Sequence, residues 1–132
     1  MLTARVSRIR IVIADLRPDD GPGQWRVGWD ITNADEAPVN VSEAWLPHGR
    51  FRGEGHVRLN LSIAPGQQAR IELRVKCQEP PGTVVKNAFL ILRTSVGRVF
   101  ARMRVEFDES PRPILETVTT QSLQSGADGT LS

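Results

Sequence analysis

The sequence predicts an all-β protein: an antiparallel β-sandwich of about seven strands with a flexible C-terminal tail. Three observations carry this. The first is residues 68–75, where Ala69, Ile71, Leu73 and Val75 alternate with Gln68, Arg70, Glu72 and Arg74. Strict period two gives a strand with one dry and one wet face. The second is the recurrence of this pattern in seven runs, separated by Gly, Pro, Asn and Asp clusters, with no amphipathic helical period. The third is a change of character at Asp108, beyond which lie Pro111, Pro113 and a Ser/Thr/Gln/Gly-rich segment. A closed barrel is the alternative arrangement of the same runs.

Residues 1–6 read as a lead-in. In residues 7–16, Ile9, Ile11 and Ile13 face one way and Arg8, Arg10 and Val12 the other. In residues 24–32, Trp25, Val27, Trp29 and Ile31 share the inward face, and Trp29 is the expected core anchor. Gly28, on the outward face, marks a bulge or a close neighbour. Residues 38–46 carry Val39 and Val41 in register, with Trp45 at the same spacing. Val57, Leu59, Leu61 and Ile63 form the next run. The turn Ala64-Pro65-Gly66-Gln67 joins it to residues 68–75, with Pro presetting φ and Gly accepting the positive φ of a type II turn. Residues 84–93 are apolar on both sides, the mark of a central, doubly covered strand. In residues 98–107, Val99, Ala101, Met103, Val105 and Phe107 point in, while Arg98, Phe100, Arg102, Arg104 and Glu106 point out. The domain therefore spans 1–107, and 108–132 reads as a disordered tail whose apolar group is Ile114, Leu115 and Val118.

Composition narrows the function. The 132 residues suffice for one domain with a real core. Net charge is +2, and fifteen of the seventeen cations are Arg. The single cysteine, Cys77, cannot form an internal disulfide, which suits a reducing compartment. Arg5, Arg8 and Arg10 break the N-terminal apolar run, so neither a secretory leader nor a membrane span is expected and a cytoplasmic setting is.

The motifs Trp29-Asp30-Ile31-Thr32-Asn33, Ala37-Pro38-Val39-Asn40-Val41 and Leu61-Ser62-Ile63-Ala64-Pro65-Gly66-Gln67 resemble those of bacterial immunoglobulin-like domains of the CARDB type. The resemblance spans residues 5–107. It implies an immunoglobulin-like sandwich and an adhesive or accessory role. A more distant similarity is to the intracellular proteinase inhibitors of bacilli, which are single immunoglobulin-like domains.

Chemistry-bearing groups are sparse. His48 and His56, eight apart in a glycine-rich loop with Glu54, match no recurrent metal spacing. Asp15, Asp19 and Asp20 lack the spacing of a calcium loop. Nothing places a histidine beside Ser42 or Cys77, and Cys77 reads as a buried structural thiol. No catalytic, cofactor or metal residues are expected. If the strands of Arg70, Arg74 and Lys76 shared a sheet with those of Arg93, Arg98, Arg102 and Arg104, its outer face would be a basic patch around Phe100. Low net charge favours a solvated face balanced by Glu72 and Glu106 over a nucleic-acid site.

The preferred surface is the loop after the third run. Trp45, His48, Arg50, Phe51 and Arg52 combine residue types enriched at binding hot spots with a place at the end of the sandwich. The alternative is that Trp45 and Phe51 cap the core. The expected function is a non-catalytic protein-interaction module with another protein as its partner. The alternative is an intracellular peptidase inhibitor acting through residues 47–56.

Overall fold

A computed structural model of the protein describes residues 2–6 and 8–123, with side chains from 8 to 122. Among these residues the strands are β1 (Leu2–Val6), β2 (Ile9–Pro18), β3 (Gln24–Asn33), β4 (Val39–Trp45), β5 (Val57–Ile63), β6 (Gln68–Lys76), β7 (Thr83–Thr94), β8 (Gly97–Phe107) and β9 (Pro111–Leu123). They form a six-stranded sheet, ordered β1-β9-β8-β7-β4-β5, and a three-stranded sheet, ordered β2-β3-β6. Every ladder is antiparallel. The fold is an all-β sandwich and not a closed barrel. The sandwich sets β2, β3 and β6 against β4, β5, β7 and β8, with β9 and β1 continuing the larger sheet.

Alternation builds the core. Ile9 and Ile11 of β2, Val27, Trp29 and Ile31 of β3, and Ile71, Leu73 and Val75 of β6 are buried from the small sheet. Val39 and Val41 of β4, Leu90 and Leu92 of β7, and Val99, Ala101, Met103 and Val105 of β8 are buried from the large one. The turn between β5 and β6 takes its expected form: Gln67 N–H donates to the Ala64 carbonyl at 2.9 Å, and Gly66 has φ +76°. Asn33, fully buried, ties this corner together by donating from Nδ2 to the carbonyls of Ile63 at 2.8 Å and Ala37 at 2.9 Å. Gly28 is a close approach: a Cβ there would lie 2.6 Å from Asp15 Oδ1, beside the β2 bulge between Ile13 and Asp15.

Two expectations change. The domain does not end at residue 107. Residues 111–123 form β9, which pairs with β8 from Phe107↔Pro111 to Arg98↔Gln121 and packs Leu115 and Val118 against the core. Pro113 is tolerated because β1 pairs only with residues 119–123, so β9 is an edge strand where the prolines lie. The remaining tail, residues 124–132, lies outside the described residues. Secondly, β7 is central but not doubly covered. A bulge between Val85 and Ala88, with Asn87 at φ 57°, resets its phase. Ala88, Leu90 and Leu92 then enter the core, while Phe89 and Ile91 sit half-buried on the outer face. No helix among the described residues is long and apolar enough to cross a membrane.

Candidate functional site

The outer face of the six-stranded sheet gathers the apolar and charged side chains that the core does not use. Its centre is Trp45. Counting by twos from Val41 would place Trp45 inside, but β4 is irregular between Val41 and Glu43 against both of its neighbours. The irregularity inverts the faces beyond it. Ala44 and Leu46 enter the core at 0% and 2% exposure, and Trp45 turns outward. Trp45 is nonetheless only 9% exposed. The His56 ring stacks on it at 4.1 Å and 10° between planes, and the Arg98 guanidinium lies 5.9 Å from its ring centroid. Surface side chains, not the core, cover this indole.

Around it the ladders set a row. Trp45 is opposite Ile91, and Ile91 is opposite Phe100. Phe89 meets Phe100 edge-to-face at 6.2 Å between centroids. Charges border the row. Glu43 takes hydrogen-bond partners on two sides: Arg93 Nε at 2.9 Å and His56 Nδ1 at 3.2 Å. Partial burial pushes the Glu43 carboxyl up, but the bonds to Arg93 and His56 outweigh it and hold the group below its ordinary value. His56 is thereby oriented against Trp45. Arg93 and Arg98 are direct cross-strand partners, a like-charge pair that is unfavourable when uncompensated. Glu43 balances Arg93. Among the described residues no carboxylate pairs with Arg98. Further along β8, Arg102 and Arg104 both reach Glu116 on β9, at 3.5 and 3.3 Å.

The loop residues chosen from the sequence separate. Phe51 is fully buried and belongs to the core, so it caps the sandwich. Arg50 is paired with Glu79, whose carboxyl the Arg50 hydrogen bond holds below the usual range. His48 Nδ1 accepts from the Arg50 backbone N–H at 3.0 Å. Arg52 is pinned by its backbone, which exchanges hydrogen bonds with Lys76 at 3.1 and 2.8 Å. Of the five, Trp45 alone lies on the strand-borne face, while His56, Arg98 and Phe100 were not among them.

The single basic patch does not form. Arg70, Arg74 and Lys76 are on β6 in the small sheet, and Arg93, Arg98, Arg102 and Arg104 are on the large one, so they face opposite sides of the sandwich. The β6 arginines are also balanced: Arg70 by Asp30 at 2.8 Å and Asp15 at 3.5 Å, Arg74 by Asp19 at 3.4 Å. Asp15 of β2 and Asp19 of the loop after it thus serve arginines. Among the described residues no group of three or more His, Cys, Asp or Glu is placed to hold a metal ion. Cys77 is buried, and desolvation, with Glu79 adding to it, pushes its thiol up to about 11. Its carbonyl accepts from Trp25 Nε1 at 2.8 Å.

Fold and face together define an all-β sandwich with an aromatic and arginine surface on its larger sheet. No protein-family model matches the chain, and no curated protein matches it.

Proposed function

We propose that this chain is a non-catalytic protein-interaction module that binds another protein through the outer face of its six-stranded sheet. The observation that supports this reading most is Trp45 of β4, stacked by the His56 ring and with the Arg98 guanidinium of β8 at 5.9 Å from its ring centroid. Tryptophan and arginine are the residues whose truncation most often costs binding energy, and a preformed site spends little conformational entropy on association. The half-buried Ile91 and Phe100 extend the apolar centre, and the charged rim supplies orientation. The turn motifs that resemble CARDB-type domains favour the same reading, since that resemblance implies an adhesive or accessory role.

The experiment is affinity capture from a native lysate with three variants matched for folding. Arg98→Glu and Phe100→Ala should each lose the captured partner, with affinity falling about 30-fold or more for a hot-spot truncation. Arg74→Glu, on the opposite sheet, should capture as the parent does. Equal capture by all three variants would remove this face from consideration.

A further inference from the structure

We infer that the partner of the Trp45 face is an acidic protein segment, a conclusion that rests on reading that face as the binding surface. One carboxylate of the segment enters an open pocket of about 530 Å³ between the β7–β8 turn and the end of β9. Arg93, Val96, Arg98, Gln121 and Ser122 line this pocket, and among the described residues no carboxylate does. The ladders explain the gathering. Arg93 of β7 is opposite Arg98 of β8, and Arg98 is opposite Gln121 of β9. Directly opposite residues share a face of the sheet, so all three belong to the outer one.

The charges of this rung do not balance. It continues from Arg93 through Glu43 of β4 to Arg58 of β5, so three arginines share one carboxylate. Glu43 is already bonded to Arg93 Nε at 2.9 Å and to His56 Nδ1 at 3.2 Å. Among the described residues neither Arg98 nor Arg58 is paired with a carboxylate. Arg58 stands beyond Glu43, outside the pocket. Two lining arginines and one shared glutamate leave the pocket one positive charge in excess. Like charges directly opposite are destabilising, so a bound anion relieves the Arg93–Arg98 pair. The arginines of β6 differ, because Asp15, Asp19 and Asp30 already meet Arg70 and Arg74.

That excess and the neighbouring side chains select the occupant. A carboxylate carries one negative charge and accepts the planar donors of arginine in pairs. A phosphate, with about 1.5–2 negative charges, exceeds what the pocket balances. Gln121 and Ser122 add neutral donors on the β9 side. One rung further along, Ile91 and Phe100 are half-buried on the same face. The Arg98 guanidinium, 5.9 Å from the Trp45 ring centroid, joins the two rungs. The matching segment therefore places an acidic side chain in the pocket and a large apolar one beside it, over Ile91 and Phe100.

The test is selection of displayed short random peptides on the full chain, with the best binder then titrated into the nitrogen-15-labelled protein. The expected result is enrichment of Asp or Glu beside a large apolar residue, and a Trp45 indole signal that moves. Replacing that acid by its amide should weaken binding about tenfold or more on the parent but less than about twofold on Arg98→Gln, where the charge-assisted bond is already lost. Arg58→Gln should bind within about twofold of the parent, since three strand spacings, roughly 14 Å, exceed the Debye length. Asp128→Asn, in the chain's own tail, should bind as the parent does. Binding about tenfold tighter in that variant would place the tail in the pocket and overturn the proposal. Binders that move Trp45 yet lack an acid, prefer phosphoserine in its place, or ignore Arg98→Gln would overturn it and leave the interaction face standing. Binders that leave Trp45 unmoved would overturn the face as well, and enrichment of no peptide would overturn the proposal.

Discussion

Two tryptophans on neighbouring runs of the same period end in different places, Trp29 in the core and Trp45 on an outer face. Trp29 was legible, because nothing interrupts the alternation of β3 around it, and it is fully buried. Trp45 was not, because one irregularity between Val41 and Glu43 inverts the faces, and Ser42 carries no residue-level sign of it. Trp29→Ala is expected to destabilise the domain by about 3–5 kcal/mol, the usual cost of removing a large buried aromatic. Denaturant melts of parent and variant check this, and a variant within about 0.5 kcal/mol of the parent would remove Trp29 from the core. The Cys77 thiol, buried and raised to about 11, should resist alkylation at pH 8 until the chain unfolds. Mass-spectrometric labelling of the native protein with iodoacetamide reads this directly, and rapid native labelling would contradict it.

Strand β9 shows where element-level reading fails. The segment reads as a tail because Pro111 and Pro113 break central strands and because Ser, Thr and Gln dominate residues 117–122. Both inferences overlook the edge: proline is acceptable where no ladder bond is required, and Thr117, Thr119 and Thr120 have high β propensity. Only β8, whose alternation is plain, creates the edge on which this strand forms. Truncation after Ser110 removes the packing of Leu115 and Val118. It should cost about 2 kcal/mol or more, on the order of 5–10 °C in melting temperature. Calorimetry of the truncated chain checks this, and an unchanged transition would mean that β9 contributes nothing to the fold.

Among the described residues, nine of the chain's fifteen carboxylates pair with arginines. The Arg70 hydrogen bond lowers Asp30, Arg17 lowers Glu72, Arg50 lowers Glu79 and Arg112 lowers Glu106. In each case the folded value lies below the unfolded one. As pH falls past the ordinary values, 4.5 for Glu and 3.8 for Asp, the unfolded chain takes up these protons first. The stabilisation is therefore complete at pH 7 and is lost on acidification through the depressed folded values. Because these groups are exposed, each pair contributes little and the effect is collective. Thermal melts between pH 7 and pH 3 should show a fall beginning near pH 4.5, and a flat profile would contradict the pairing.

The fold was legible because alternation and turn chemistry repeat along the chain. The proposed binding face was not, because it depends on three strands far apart in sequence meeting in one register. The three indole N–H groups report on it separately. Trp29 lies in the core, Trp25 donates to the Cys77 carbonyl, and Trp45 sits under His56 and Arg98 on the outer face. Titration of the nitrogen-15-labelled chain with its captured partner, followed in the indole region of the proton–nitrogen spectrum, is the most direct measurement. The Trp45 signal should shift or broaden as the complex forms, while those of Trp25 and Trp29 stay in place. A saturated complex with an unmoved Trp45 signal would contradict the assignment of this face.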